Sequence, residues 1–197
     1  MGVPTGSTIS INHRGLTNRV AETQRFGPGE AATQFDPGDF ILTHRHNPMA
    51  GLISFGEKRR FRRSDGVYAH WSHCALVVGK DGGLVEAEST GVRRSPISRY
   101  RDDEYHLVRI GPSFSLEGRN RAVEYAEAQV GQAFGYLALS GAALFLLFGL
   151  PLRLMRGDHQ ICSGLVVRAL QHGGLMPEAD PSLMLPADLA EMYDVRA

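Results

Sequence analysis

Residues Gln160–Leu170 read QICSGLVVRAL, in which a cysteine and a Ser-Gly pair precede an apolar run. The apolar side chains recur at steps of three and four, the spacing of one buried face of an α-helix. These residues are Leu165, Val166, Ala169 and Leu170. Gly173 and Gly174 follow and are typical of a helix C-terminus. The stretch therefore predicts a helix that begins at Cys162.

A thiol at the start of a helix is placed where its anion is favoured. The helix dipole and the unpaired N–H groups of the first turn both stabilise a thiolate, which is the nucleophilic form of cysteine. The same N–H groups can hold the oxyanion that forms when a carbonyl is attacked. The alternative is that Cys162 is a small buried apolar residue, as most cysteines without a disulfide are. A nucleophile requires a base nearby.

Composition limits the class of protein. The 197 residues suffice for one domain with a full core, and the formal net charge of zero excludes a global attraction to nucleic acid. Two cysteines are too few for a disulfide scaffold. Residues 1–34 are polar, without the apolar run of a signal peptide. We expect a flexible arm over 1–34, one domain over 35–197, and a cytoplasmic location by default, with membrane association or secretion as an effector left open.

Strand and turn signals alternate through the middle of the chain. A Pro-Gly turn leads into a short apolar strand over Phe35–Thr43, and Tyr68–Gly79 is rich in β-forming residues. The Asp-Gly pair within Lys80–Gly83 predicts a hairpin into Leu84–Ser89. The sequence also predicts a strand over Glu104–Ile110, an amphipathic helix over Ser115–Gly131 and a short helix over Pro186–Met192.

The predicted hairpin supplies a candidate base. His73 lies within a strand, where the scaffold can hold it rigidly, whereas most of the other histidines lie on predicted loops or at element ends. Alternation of side chains puts Glu86 and Glu88 on the same face as His73, and either carboxylate could orient the imidazole. Cys74 then points to the opposite face, towards the core. A zinc site is disfavoured because neighbouring strand residues diverge and no CxxC pair exists.

Two further segments suggest surface contacts. Lys58–Arg63 is the densest cluster of positive charge and could bind an anion, although a solvated loop is the simpler interpretation. Val130–Leu152 contains no charged residue, and its length is near the roughly 20 residues that span a bilayer. Glycines interrupt it and Pro151 ends it. We favour a buried helix or hydrophobic lid, with membrane contact through residues 136–152 as the alternative.

Three motifs together resemble the NlpC-type papain-like cysteine peptidases. The motifs are CSGLV at Cys162–Val166, GDFIL at Gly38–Leu42 and SHCALVVG at Ser72–Gly79. The cysteine motif comes last in the chain, as in the circularly permuted branch of YiiX-like and lecithin–retinol acyltransferase-like proteins. The resemblance covers Asp36 to the C-terminus. It implies an α+β fold in which the cysteine helix packs on a small antiparallel, barrel-like sheet.

The resemblance also implies roles for three residues. Cys162 matches the nucleophile, His73 the general base and Glu86 the third polar residue, although an ideal hairpin would bring Glu88 closer to His73. The implied activity is hydrolysis or acyl transfer on an amide, peptide or ester, without cofactor or metal. Ile161 stands where members that cleave peptidoglycan usually have aspartate, which favours a lipid-like substrate. A cell-wall peptidase and a non-catalytic membrane- or partner-binding module remain alternatives.

Overall fold

The computed structural model describes residues 7–10, 20–44, 67–112, 114–133, 161–176, 179–182 and 184–197. The strands are β1 (Ser7–Ser10), β2 (Val20–Phe26), β3 (Phe40–Thr43), β4 (His73–Val77), β5 (Gly83–Glu88), β6 (Gly91–Pro96) and β7 (Tyr105–Ile110). The helices are α1 (Leu116–Ala128), α2 (Cys162–His172), α3 (Pro186–Met192) and a 3₁₀ turn (Ile97–Tyr100). The Lys58–Arg63 cluster and the apolar segment 136–152 lie outside the described residues. Among the helices described, none is long and apolar enough to cross a bilayer.

The strands form one antiparallel sheet in the order β1-β2-β7-β3-β4-β5-β6. This confirms an α+β architecture with an antiparallel sheet, but the described sheet is open, so the expected barrel-like closure is wrong. Closure would require β6 to pair with β1 at the opposite end of the sheet. The outer edge of β6 is already occupied, because Val92 exchanges backbone hydrogen bonds with Gly131 and Gln132 after α1, at 2.8 and 2.9 Å.

The expected N-terminal arm supplies part of this sheet. Strand β2 pairs with β7 along six residues, and β1 pairs with β2. Phe26, Ala32 and Phe35 are buried against the sheet. Where the structure describes the segment 1–34, it is therefore built into the sheet, and the boundary expected at residue 35 does not separate it from the domain.

Alternation along the strands creates two apolar layers. One face of the sheet carries Phe40, Leu42, Leu76 and Val108, and helices α1, α2 and α3 pack against it. The other face carries a second core of alternating residues and is covered by residues 26–35 and by Tyr100. The central strands β3 and β4 are buried along their whole length because both of their faces are covered. The site described below lies at one end of these two strands.

Helix α2 confirms the predicted bounds, since it begins at Cys162 and Gly173 follows its last residue. It crosses α1 where two glycines meet. A Cβ atom added to Gly118 would lie 2.5 Å from the carbonyl oxygen of Gly173, and one added to Gly173 would lie 2.6 Å from the carbonyl oxygen of Gly118. Side chains at either position would force the helices apart, so these glycines set how closely α2 lies beside α1.

We expect Gly118→Ala to destabilise the protein by about 1–3 kcal/mol, the usual cost of overpacking a core. Alanine favours a helix over glycine by about 1 kcal/mol, but the obstacle here is a backbone carbonyl that cannot rotate away. Urea unfolding measures the difference. Asn120→Ala, on the exposed side of the same helix, is the matched control and should change stability by no more than about 0.5 kcal/mol. A Gly118→Ala protein as stable as the wild type would show that the helices are not in contact here.

Candidate active site

The β4–β5 hairpin brings the predicted base and carboxylate together. It turns at residues 80–82, where Gly82 has a φ of +82° and the Asp81 carboxylate accepts from the Gly83 N–H at 3.1 Å. The two strands pair at only two positions, of which Leu76 with Val85 is the one farther from the turn. His73 and Glu86 lie beyond it, so their side chains meet where the regular ladder has ended.

His73 and Glu86 form a buried hydrogen-bonded ion pair. The Nε2 atom of His73 lies 2.7 Å from Oε2 of Glu86, and the two residues are 8% and 0% exposed. The hydroxyls of Ser95 and Tyr100 donate to the two oxygens of the same carboxylate. Three groups from β4, β6 and the 3₁₀ turn therefore converge on Glu86 and fix its orientation.

Of the two carboxylates that the sequence left open, the structure brings Glu86 to the imidazole. Glu88 instead forms ion pairs with Arg93 at 2.7 Å and with Arg99 at 3.0 Å. These two guanidinium groups hold the Glu88 carboxylate away from the imidazole, so Glu88 does not orient it. The motif match predicted this arrangement, whereas the ideal hairpin register did not.

Burial and pairing act in opposite directions on these groups. Burial alone would raise the pKa of Glu86, but the bonds from His73, Ser95 and Tyr100 outweigh it and lower the pKa to about 2. Burial alone would lower the pKa of His73, but hydrogen bonds to Cys162 and Glu86 raise it to about 10. The site thus favours an imidazolium between two anions over a wide range of pH.

Cys162 is the third residue of the candidate site. It is 8% exposed at the first residue of α2, and Ile161 before it makes no side-chain hydrogen bond to the N–H groups of the first turn. The thiol and the His73 imidazole lie close enough for each to shift the pKa of the other, and Nε2 of the imidazole is engaged by Glu86. A bond from the Cys74 side chain, opposed by burial and aided by the bond and charge of His73, lowers the pKa of Cys162 well below its usual value.

Three residues of the site were missed by sequence reasoning. Cys74 is buried on the helix-facing side of β4, as predicted, and it is close enough to Cys162 to lower the pKa of that thiol. The alternation that put Cys74 opposite His73 would have indicated this proximity, had the cysteine helix been assigned to that face. Ser95 and Tyr100 reach Glu86 through the register of β6 and the turn after it, which no local pattern encodes.

The other described histidines lie elsewhere. The rings of His44 and His70 stack at 4.3 Å, and His70 lies 3.3 Å from Glu104. His106 is buried against Trp71, with ring centroids 4.5 Å apart, and burial lowers its pKa to about 4. His172 stacks on Tyr125 at the end of α2. His46 and His159 lie outside the described residues.

Within the described residues, one group has metal-ligand atoms close together: His73, Glu86 and Glu88, with these atoms within 4.8 Å of one another. Their oxygens and nitrogens are already engaged by the arginines, hydroxyls and imidazole named above. Two guanidinium groups beside Glu88 would also repel a cation. The donor set therefore fits an ion-pair network better than a metal centre.

A scan against protein-family models finds no match for this chain, and a search of curated proteins finds none either. The evidence for the chemical roles of Cys162, His73 and Glu86 is therefore their geometry and the motifs that surround them.

The charge of Glu86 should be visible in the pH dependence of stability. Its pKa of about 2 in the folded state lies below the ordinary 4.5, so ionisation stabilises the fold above pH 4.5, and this contribution is lost as the pH falls towards 2. Its upper bound is about 3 kcal/mol for a group without solvent exposure. Urea unfolding at pH 6 and pH 3 should therefore show a smaller loss of stability in Glu86→Gln than in the wild type.

Glu117, a side chain that is 81% exposed on α1, supplies the control. The Glu117→Gln variant should lose as much stability between pH 6 and pH 3 as the wild type. Parallel pH curves for the wild type and Glu86→Gln would contradict an ionised, paired Glu86.

Proposed function

We propose that this protein is a thiol-dependent hydrolase or acyltransferase that acts on an amide, peptide or ester through Cys162, His73 and Glu86. The observations that carry the proposal are the hydrogen bond of 2.7 Å between His73 and Glu86 and the pKa shifts by which His73 and Cys162, which lie close together, stabilise each other's charges. A nucleophile, a base and a group that orients the base are the minimum that acyl transfer through a thioester requires. All three are buried and held by several neighbours.

In the first half-reaction the Cys162 thiolate attacks the substrate carbonyl, forming a C–S bond while the carbonyl oxygen becomes an oxyanion. The uncapped N–H groups at the start of α2 are suited to stabilise that charge. The His73 imidazolium gives its proton to the departing nitrogen or oxygen as the C–N or C–O bond breaks. A thioester on Cys162 and a neutral His73 result.

In the second half-reaction neutral His73 takes a proton from water or another acceptor, whose oxygen or nitrogen attacks the thioester. The C–S bond breaks and Cys162 leaves as a thiolate beside a restored imidazolium. Glu86 keeps one tautomer of His73 in place and stabilises its positive form in both halves. Water as the acceptor gives hydrolysis, and any other acceptor gives transfer.

The fold proposed for this chemistry is the permuted papain-like, NlpC-type arrangement. It is supported by adjacent strands β3 and β4 that carry the Gly-Asp and Ser-His motifs, and by a cysteine helix that follows them in the chain and packs on β4. The Gly-Asp motif has a structural role here. Asp39 is fully buried at the start of β3 and accepts from Arg119 at 2.9 Å and from the Ile110 N–H at 3.0 Å, which joins α1 to the sheet.

The surroundings of the nucleophile favour an apolar acyl group over a charged cell-wall peptide. Ile161 is buried directly before Cys162, at the position where the peptidoglycan-cleaving members of the family that the motifs resemble usually have aspartate. A lipid-like amide or ester is therefore our first choice of substrate and a peptidoglycan peptide the second. The part that the apolar segment 136–152 plays in substrate binding is a further element of this proposal.

Alkylation by iodoacetamide tests the activated thiol. Because the thiolate is the reacting form, the pH midpoint of Cys162 labelling reports its pKa, and we expect it to lie well below the free-thiol value of about 8.5. His73→Gln should raise the midpoint by about one unit or more, since glutamine can donate to Glu86 but cannot carry a positive charge. Peptide mass spectrometry assigns the labelled cysteine.

His106→Gln is the matched control. It changes another buried histidine, which contacts Trp71 and lies near Glu104 and not near Glu86. Its labelling midpoint should equal that of the wild type. If wild-type Cys162 reacts only with the midpoint of an ordinary thiol, the catalytic proposal fails, and a non-catalytic binding module on the same fold becomes the better hypothesis.

Trapping of the thioester tests the reaction itself. With p-nitrophenyl acetate as an activated ester we expect a burst of nitrophenolate, and an acetyl group on Cys162 in the intact-mass and peptide spectra. Cys162→Ala should abolish the burst, and His73→Gln should slow it by about 100-fold or more. A burst of equal size in Cys162→Ala would place the acylation elsewhere and exclude this site. Lipid esters, lipid amides and muropeptides, compared in turnover, then distinguish the substrate classes.

A further inference from the structure

An arginine on β6 lies beside the carboxylate that orients the base. Arg93 is directly opposite Glu86 in the β5–β6 ladder, so the two side chains share one face of the sheet. Its Nη2 atom lies 3.9 Å from Oε1 of Glu86 and 2.7 Å from Oε2 of Glu88. Arg99 pairs with Glu88 in turn, at 3.0 Å. Arg93 is therefore held between two carboxylates, and the more deeply buried one belongs to the candidate site.

The charges of this network alternate in sign from the interior towards the surface. The order is His73, Glu86, Arg93, Glu88 and Arg99, and successive partners are 2.7, 3.9, 2.7 and 3.0 Å apart. The Arg93 side chain is 37% exposed as a whole, but its Nη2 atom is buried. Water therefore does not reach the nitrogen that faces Glu86, and the attraction between the two charges is weakly screened.

Arg93 acts on Glu86 through its charge and not through a directed hydrogen bond. At 3.9 Å the two atoms are beyond hydrogen-bonding distance, and the hydroxyls of Ser95 and Tyr100 already donate to the carboxylate. Guanidinium groups keep their charge in proteins, whereas an imidazole gains and loses its own. The positive charge of Arg93 is therefore present in every state of the reaction, unlike that of His73.

We propose that Arg93 is a positioning residue, which keeps Glu86 ionised and able to accept from the His73 N–H when the imidazole has lost its own positive charge. This inference rests on the proposed function, because His73 becomes neutral when it gives its proton to the leaving group. In that state Glu86 is a buried carboxylate beside an uncharged ring. Arg93 then supplies the positive charge that His73 no longer does.

An ionised Glu86 determines which nitrogen of the neutral imidazole carries the proton. A carboxylate only accepts hydrogen bonds, so the ring keeps its proton on Nε2, which lies 2.7 Å from Oε2 of Glu86. The lone pair is then on Nδ1, where it can take a proton from the acceptor that attacks the thioester. A protonated Glu86 would donate to Nε2 and leave the ring proton on Nδ1, which removes the base. The role of Arg93 therefore belongs to the second half-reaction.

Titration of His73 by NMR tests this role without relying on catalysis. The experiment uses Cys162→Ala protein, in which no thiolate lies beside the imidazole, and follows the nitrogen chemical shifts of the His73 ring. Arg93→Gln removes one positive charge and keeps a polar side chain, so the His73–Glu86 pair should bind its proton more tightly. We expect its pH midpoint to rise by at least about half a unit.

Arg94→Gln is the matched control. Arg94 is the next residue on β6 and points to the other side of the sheet, where it pairs with Glu127 at 2.6 Å and is 69% exposed. Its replacement removes the same charge and should leave the midpoint unchanged, because solvent screens exposed charges. Arg93→Lys should restore the original midpoint, since the contact with Glu86 requires a charge and not a directed bond.

An unchanged midpoint in Arg93→Gln, or an equal rise in Arg94→Gln, would overturn the role of Arg93. Glu88→Gln covers the case in which Arg93→Gln fails to fold. Removing the carboxylate that pairs with Arg93 leaves more of the arginine's charge to act on Glu86, so the midpoint should fall. A midpoint that stays or rises in Glu88→Gln would also overturn the inference.

The rate of deacylation separates this inference from the proposed function. After the nitrophenolate burst, the steady phase reports hydrolysis of acetylated Cys162. Arg93→Gln should raise the pH midpoint of that phase by about half a unit, which slows it about threefold at a fixed pH below the midpoint. A wild-type burst followed by an unshifted steady phase in Arg93→Gln would overturn the role of Arg93 and leave the catalytic proposal intact. A wild type without a burst would overturn both.

Discussion

The burial of the Glu86 carboxylate is the constraint on which the arrangement of this site depends. A carboxylate without solvent exposure is stable only when charges and donors replace its water. Here the replacements come from His73 on β4, Ser95 on β6 and Tyr100 on the 3₁₀ turn. Because each donor belongs to a different element, satisfying one carboxylate fixes the relative positions of three successive parts of the chain. The same bonds hold the imidazole whose other side meets the cysteine.

Strand β4 connects the two layers of the molecule at this point. His73 and Cys74 are adjacent in sequence, yet the imidazole bonds to a carboxylate that Ser95 and Tyr100 hold in place, while Cys74 belongs to the core beneath the helices. Helix α2 packs against both β4 and β5, and both His73 and Cys74 lower the pKa of Cys162 at its start. A strand of five residues thereby determines both what orients the base and what surrounds the thiol. The glycine contact between α1 and α2 sets the position of the helix that carries the thiol.

Local patterns in the sequence predicted the elements better than their contacts. The spacing of apolar residues in α2, the Asp-Gly turn and the proline at the start of α3 each act within a few residues, and the structure confirms all three elements. The choice between Glu86 and Glu88 depends on how far the β4–β5 ladder extends and on Arg93 and Arg99, which come later in the chain. Strand β2 is polar, so no apolar run reveals it in the sequence. It is held in the sheet by its pairing with β7. Long-range register was the information missing in each case.

The composition of the site argues for function on energetic grounds. Buried ion pairs contribute little net stability, because the cost of removing both charges from water offsets their attraction, and apolar residues of similar size often do as well. The surrounding sheet is filled with such residues, among them Ile41, Leu76 and Leu84. A fold selected for stability alone would continue that packing through the positions of His73 and Glu86. Instead the chain keeps two opposite charges there, with hydroxyls beside the carboxylate and a thiol beside the imidazole. The pKa values of the three groups are shifted in the directions that acyl transfer needs.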